Sequence, residues 1–462
     1  MMPKRRLNAF MVIAIVITLL VIGSVLLQLF SPWYFTPIAS NWVAIDDTIG
    51  LTFWITGTVF VLVNLFVVFC IVRFRHRKGS KAAYEPENKK LEWWLIGITT
   101  IGIASMLAPG LFVWADFVHA PPNASLFEVV GKQWNWSYRF PGKDGTLGTV
   151  DTKFISEKNP FGINPEDKNG QDDILVTSQE VHLPLNKPVK ALLRSVDVLH
   201  NFTVPQFRAK MDLVPGMVTY IWFSPTRIGK FDVLCNELCG VGHYVMRGKV
   251  VIEAEDLFEK WLSTQPTFAQ TQTQKPADAT AGKALYAVCS SCHGAQGEGN
   301  KALNAPKLSG QAQWYLSRQL MNFKHGSRGV KDQDVNGKIM ASMVATLSSD
   351  SDIANVTAYI QTFSDLPAEK TIKGNAGDGK DLYMSTCAAC HGLTGSGVES
   401  TKAPRLQNMS DWYLVTQLHN FRDGIRGAHS NDLYGQQMSS VASFLTKEQM
   451  INDLVAYIGT LK

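Results

Sequence analysis

Twelve residues, "CNELCGVGHYVM" at 235–246, gather two cysteines, a glutamate, a histidine and a methionine. Thiolate, thioether and imidazole are soft donors that together select copper. Zinc asks for four Cys/His donors, commonly in two paired knuckles. Cys235, Cys239 and His243 are instead spaced by four, without a second knuckle. A Cys235–Cys239 disulfide would leave His243 and Met246 idle, and a single blue-copper centre uses one cysteine only. Two coppers bridged by both thiolates would use the whole set, but they need another histidine. His200, in "SVDVLHNFTVPQF" 35 residues before Cys235, suits that place better than His182, which precedes "LPLNKP".

Two more clusters carry chemistry, "CSSCH" at 289–293 and "CAACH" at 387–391. C-x-x-C-H is the attachment pattern of c-type haem: Cys289 and Cys292, or Cys387 and Cys390, bond the porphyrin, and His293 or His391 reaches the iron. The clusters stand 98 residues apart, and the same offset, without a gap, lays Pro306 on Pro404, Trp314 on Trp412, Tyr315 on Tyr413, Phe323 on Phe421, Arg328 on Arg426 and Tyr359 on Tyr457. The C-terminal part is therefore a duplicated module. The repeat also selects the sixth iron ligand. Met321, Met343, His325, Met384, Met409, His419 and His429 have no equivalent in the other copy, whereas Met340 and Met438 coincide, each 47 residues after its histidine. A thioether opposite imidazole closes the iron and raises its potential, as electron transfer requires.

Elements must position these groups. At 462 residues the chain has room for about three domains. Three uncharged apolar stretches, Leu7–Phe30, Ile49–Val72 and Trp93–Ala115, are each long enough to cross a hydrocarbon core of ~30 Å. The first, behind "MMPKRR", reads either as a signal peptide or as a retained helix. Seven Lys/Arg between positions 73 and 90, against none between Ser31 and Gly50, place the connection of the last two spans in the cytosol and everything after Ala115 outside. With Lys4, Arg5 and Arg6, these residues account for the net charge of +5, so no basic nucleic-acid surface is implied. Cys70 lies within an apolar stretch as an inert membrane residue. Residues 124–262 hold short Val-, Ile- and aromatic-rich runs between turns, the pattern of a β-sandwich or barrel, interrupted by a polar surface loop from Lys143 to Gln179 and closed by a helix at "DLFEKWL". The Gln/Thr/Pro-rich stretch 263–281 reads as a flexible linker.

On these residues the chain resembles a known family. Residues 50–262 are similar to subunit II of haem-copper cytochrome c oxidases, whose motif H-x34-C-x-E-x-C-x3-H-x2-M is matched by His200, Cys235, Glu237, Cys239, His243 and Met246. The two modules resemble diheme class I cytochromes c. The resemblance implies a multi-domain fold: N-terminal transmembrane helices, an all-β cupredoxin-like barrel and two all-α cytochrome c modules. The expected divisions are 1–48 (signal or anchor), 49–120 (transmembrane hairpin), 121–262 (copper domain), 263–280 (linker), 281–367 and 374–462 (haem modules). It further implies a dinuclear copper centre (CuA) in which Cys235 and Cys239 bridge, His200 and His243 cap, Met246 binds weakly and Glu237 ligates through its carbonyl. The Glu237 side chain would serve a magnesium at the boundary with subunit I. Trp134 in "GKQWNWSY" would pass electrons to copper, and Glu92 in "NKKLEWWL" would sit at the mouth of a proton channel, although the family's W-T-x-x-P sequence is missing.

The implied function is the electron-input subunit of a respiratory oxidase. Electrons would pass from cytochrome c through two haems and CuA to subunit I, where dioxygen becomes water with proton pumping. The implied partners are subunit I, other oxidase subunits, cytochrome c and membrane lipid, with no nucleic acid. The implied location is a bacterial inner membrane, multi-pass, with the copper and haem domains on the periplasmic side. A CuA subunit of a nitric-oxide reductase complex would share these features. A copper chaperone would leave both haem motifs and Met246 unused, and a quinol oxidase subunit would lack the copper cysteines.

Overall fold

The structure, a computed structural model, describes residues 9–31, 36–75, 79, 81, 84, 86–156, 159–273 and 276–462. Lys4, Arg5 and Arg6, and part of the basic connection after position 73, lie outside the described residues.

Three apolar helices come first: α1 (Ala9–Phe30), α2 (Val43–Arg73) and α3 (Lys89–Val118). At about 1.5 Å per residue, even the 22 residues of α1 exceed the hydrocarbon core of a bilayer. No residue of α2 or α3 is buried by protein, so their Leu, Ile, Val and Phe side chains call for lipid. The start of α2 and the end of α3 are tied to the β domain: the ring of Trp42 packs on Phe117 and Trp222, Trp222 Nε1 donates to the Asp116 carbonyl, and Arg208 pairs with Asp46 at 2.7 Å. The end of α2 at Arg73 and the start of α3 at Lys89 therefore lie at the far end of the hairpin from the β domain.

Ten strands follow: β1 (Ser125–Lys132), β2 (Asn135–Phe140), β3 (Ile174–Val176), β4 (Glu180–Pro184), β5 (Val189–Ser195), β6 (His200–Val204), β7 (Ala209–Leu213), β8 (Thr219–Phe223), β9 (Gly229–Cys235) and β10 (Arg247–Glu253). They form two five-stranded sheets, in the orders β3-β2-β1-β5-β8 and β4-β10-β9-β6-β7. The pairs β1–β5 and β4–β10 run parallel and the others antiparallel. Trp136, Tyr138, Phe202, Leu193 and Val250 fill the space between the sheets, because alternate side chains of a strand face the same way.

The excursion 143–179 is more than a surface loop. It supplies β3, and Phe161 and Ile163 are buried with Val130, Leu175 and Phe268 in a second small core. A buried ion cluster holds it. Glu128 accepts from Arg139 Nε at 2.9 Å and Arg194 Nε at 3.0 Å, while Arg139 also reaches Asp173 at 2.8 Å and the Gly148 carbonyl, and Arg194 the Phe161 carbonyl. Sequence composition cannot reveal that one carboxylate serves two arginines from neighbouring strands.

Helix α4 (Glu255–Ser263) follows the sheets, and the stretch read as a flexible linker then forms α5 (Phe268–Gln272). The Phe268 side chain plugs the second core, which fixes the first half of that stretch on the β domain. The duplicated modules come last. In the first are α6 (Ala279–His293), α7 (Gln313–Lys324), α8 (Val335–Val344) and α9 (Asp350–Ile360); in the second, α10 (Ala376–Leu382), α11 (Ala388–His391), α12 (Asp411–Arg422), α13 (Leu433–Ala442) and α14 (Glu448–Ile458). The last three helices of each copy keep the 98-residue offset at both ends. A five-residue π turn, Tyr383–Cys387, joins α10 to α11 where α6 is continuous.

Removing one partner from a buried ion cluster strands the others, at a cost of about 3–5 kcal/mol. Glu128→Gln is accordingly expected to destabilise the β domain by that amount in chemical denaturation. A loss below about 1 kcal/mol would reject the cluster as the clasp of the excursion.

Candidate metal and haem sites

The copper-type donors meet at one end of the sandwich, where β6, β9 and the loop into β10 converge. His200 opens β6 and is fully buried. Cys235 closes β9, His243 begins a single turn of 3-10 helix, and Met246 directly precedes β10. The Cys235 and Cys239 Sγ atoms lie 3.7 Å apart, and neither cysteine is in a disulfide. Around Cys235 Sγ stand His200 Nδ1 at 3.9 Å and the Glu237 carbonyl at 3.3 Å. Around Cys239 Sγ stand His243 Nδ1 at 3.5 Å and Met246 Sδ at 3.9 Å. The donors thus fall into two sets, one on each sulfur. The three side chains His200, Cys235 and Cys239 are the one such metal-binding group among the described residues. His182 lies elsewhere: its ring stacks on Trp261 at 4.3 Å and its two nitrogens face Glu253 and Glu180.

The electrostatics call for a cation. The hydrogen bond between the two sulfurs, against the opposing effect of burial and with help from His200, holds the Cys235 thiol well below the ordinary thiol range. Cys239 is pushed up, by Cys235 first and then by burial. Two thiolates this close need a metal charge between them before both can ionise. The donors also have outer partners that fix their aim. Asp197 Oδ1 holds His200 Nε2 at 2.8 Å, which leaves Nδ1 toward the sulfur. The Cys239 carbonyl accepts from Gln133 Nε2 at 2.7 Å and from Trp134 Nε1 at 3.0 Å. Trp134 lies flat under the loop: a Cβ on Gly242 would come within 2.3 Å of the indole, so the second glycine of "CGVGH" is required for space. The residues present fit a dinuclear copper.

The Glu237 side chain is half-buried and joins no group of three metal-type side chains among the described residues, so the chain itself gives magnesium no support. Glu92 is exposed in the first turn of α3, at the end remote from the β domain.

Each C-x-x-C-H ends a helix, so thiols and histidine face one cavity. His293 Nδ1 meets the Pro306 carbonyl at 2.8 Å, and His391 Nδ1 the Pro404 carbonyl at 2.7 Å. This explains why a proline repeats 13 residues after each histidine: its carbonyl fixes the ring so that Nε2 is free for iron. Burial lowers both histidines, which favours the neutral ligand form. Met340 on α8 and Met438 on α13 line the same cavity. Met343 and Met409 also line it, whereas Met321, Met384, His325, His419 and His429 do not. Both modules open into this one continuous, largely apolar space. With free thiols, oriented imidazoles and apolar walls, it fits two haems.

The second module sits on the copper loop. Gln437, next to Met438, donates from Nε2 to the Val245 carbonyl at 2.9 Å and the Trp134 carbonyl at 3.3 Å. Asn135 donates to the Ser400 carbonyl at 2.7 Å, Tyr244 packs edge-on against Phe444 at 6.0 Å, and Cys390 packs against the β-domain core. Trp134 and Val245 complete the wall of the haem cavity. Sequence reasoning missed Gln133, Asp197, Gly242 and Gln437. Asp197, three residues before His200, was readable as a histidine partner. Gln437 had one signal, its departure from the repeat, where the first copy has Ile339.

Residues 126–255 match the family described as cytochrome c oxidase subunit II, periplasmic domain, and residues 279–364 and 376–462 each match cytochrome c. Over 259 residues the chain is 60% identical to the alternative cytochrome c oxidase subunit 2 of Bradyrhizobium diazoefficiens, covering 56% of this chain and 94% of that one. It is 27% identical over 224 residues to the cytochrome c oxidase subunit 2 of Cereibacter sphaeroides, covering 46% and 73%. Among solved structures, the periplasmic domain of subunit II of cytochrome oxidase of Bradyrhizobium japonicum aligns with TM-score 0.24 and 26% identity, over 32% of this chain and 96% of that one. Reduced cytochrome c4 from Pseudomonas stutzeri aligns with TM-score 0.33 and 30% identity, over 40% and 100%.

His200→Asn is expected to lower bound copper to less than half in metal analysis of the purified protein, while His182→Gln retains it; the reverse pattern would exchange their roles. In the second module, Met438→Leu is expected to let the reduced iron bind carbon monoxide and Met409→Leu is not, as read in difference spectra.

Proposed function

The chain belongs to the subunit II family of cytochrome c oxidases and carries two cytochrome c domains behind its copper domain, and on that premise we propose that it receives electrons from an external c-type cytochrome at the first module, relays them through the second module to the copper loop, and delivers them to subunit I. As a subunit of a haem-copper terminal oxidase it serves an oxidoreductase, with reduction of dioxygen and proton pumping taking place in subunit I. When bound, haem and copper supply one-electron carriers, and the chain holds and aligns them: Cys289, Cys292, His293 and Met340 in one module, Cys387, Cys390, His391 and Met438 in the other, and His200, Cys235, Glu237, Cys239, His243 and Met246 in the copper domain. Helices α1–α3 would anchor the chain in a bacterial inner membrane, with the β domain and modules on the periplasmic side.

The observation that carries the order of transfer is the Gln437 contact. Its amide joins the methionine-bearing helix of the second module to Val245, the neighbour of Met246, and to Trp134, whose indole donates to Cys239. A continuous covalent and hydrogen-bonded path thus runs from α13 to the copper loop. The equivalent position of the first module, Ile339, is 56% exposed. With Trp134 covered by the second module, an external donor has the first module to dock on.

Purified complex is expected to contain two covalent haems per chain and to take up oxygen with reduced c-type cytochrome as donor; consumption of nitric oxide without oxygen uptake would assign the chain to a nitric-oxide reductase complex instead. Gln437→Leu is expected to slow haem-to-copper transfer several-fold in stopped-flow measurements with copper content unchanged. An unaltered rate would reject the second module as immediate donor.

A further inference from the structure

Four arginines line the cavity shared by the modules; Arg405 pairs with Asp365, and of the other three, two obey the repeat. Arg328 Nη1 donates to Gln319 and its Nη2 to Tyr413 and Gln417 of the other module. Arg426 answers in mirror fashion, Nη1 to Gln417 and Nη2 to Tyr315 and Gln319. The third, Arg318 on α7, has no counterpart: the second copy has Thr416 there, whose hydroxyl merely bonds back to the Trp412 carbonyl.

Arg318 crosses the boundary. Its Nη2 donates to the Lys402 carbonyl of the second module at 2.7 Å, and its guanidinium lies over Tyr434 of that module at 4.8 Å, with Trp314 and Tyr315 of its own module at 5.2 and 5.5 Å. Lys402 and Tyr434 are also unmatched, by Asn304 and Asn336 in the first copy. Arg318 Nε and Nη1 are cut off from solvent without a hydrogen-bond partner, although the residue lines the cavity. A guanidinium is always charged and presents a rigid fork matched to carboxylate. Aromatic faces attract its charge but accept neither of these N–H groups.

We propose that Arg318 is a carboxylate-binding residue for the haem of the second module, and that its charge raises that haem's potential above that of the first. The inference rests on the reading that both modules bind haem. Each porphyrin brings carboxylates, and a fork held against the second module through Nη2, with Nε and Nη1 still without a partner, is a site for one. Reduction adds one electron and lowers the charge at iron by one, so a fixed positive charge nearby favours the reduced form. The asymmetry therefore drives electrons from the first module to the second, the one that touches the copper loop. The repeat alone would make the two haems equivalent.

The test is a potentiometric titration of the haem bands in the full chain within its complex, with the second haem's step identified by the displacement that Met438→His causes. Arg318→Thr, the residue of the other copy, is expected to shift the reduced-to-oxidised ratio of the second haem at least fivefold toward oxidised at fixed ambient potential, and that of the first by less than half as much. Arg318→Lys keeps most of the wild-type value, and Arg318→Gln, neutral and close in size, repeats the Thr result should the Thr variant fail to assemble. Phosphate and chloride leave the wild-type steps unmoved; a dependence on either would make the ligand a free anion and overturn the proposal. So would an unchanged second step, equal shifts in both haems, or a Lys variant as far displaced as Thr. Haem content of the same samples separates this from the underlying reading: fewer than two covalent haems in the wild type would reject the haem assignment itself.

Discussion

The hydrogen bond from Trp134 Nε1 to the Cys239 carbonyl joins the three parts of the molecule that matter for electron flow. It fixes the backbone of the copper loop at the second cysteine. It also sets the indole beneath Gly242, and the same residue's carbonyl accepts Gln437 from the haem module. A metal loop held only by its metal would be free to shift when the charge there changes. Here the sandwich supplies the stiffness through Gln133, Trp134 and Asp197, all anchored at the edges of β strands, and the loop contributes only donors.

Stiffness has its own support further from the metal. Trp136 packs edge-on to both His200 and Phe202, so the ring of the first histidine is gripped by the core as well as by Asp197. Burying Glu128, Arg139, Arg194 and Asp173 together is tolerable because each charge meets an opposite one, and the Gly148 and Phe161 carbonyls accept one further contact from each arginine. That cluster closes the long excursion over the first sheet. The Phe268 plug in the same region brings the chain to the start of the first haem module from a fixed point.

Duplication gave the modules a common frame, and function appears where the copies part. Pro306 and Pro404 do the same work for His293 and His391, and Arg328 and Arg426 bond each other's neighbours. Gln437 against Ile339 distinguishes the module that bonds to the 235–246 loop from the one that leaves this position to solvent. Arg318 against Thr416 puts into the shared cavity a charge that the repeat does not supply. Both differences are single residues within otherwise matched helices, which is why they carry little weight in a reading that looks for sameness.

Much of this was legible in the order of residues. Hydropathy located the three apolar helices, since their side chains must face lipid along their length. Covalent chemistry located the haem attachment motifs, because thiols and histidine must be adjacent to reach one porphyrin. The donor count in "CNELCGVGHYVM", together with His200, described a two-copper site because soft ligands at that spacing have few other uses. What the sequence could not decide is what lies against what. That the loop 143–179 holds buried Phe161 and Ile163, that the linker is pinned by Phe268, that His182 serves Trp261 and two glutamates, and that Gln437 reaches Trp134 across some 300 positions are consequences of tertiary packing. Such contacts join residues with no local pattern in common, and only the folded chain brings them within hydrogen-bonding distance.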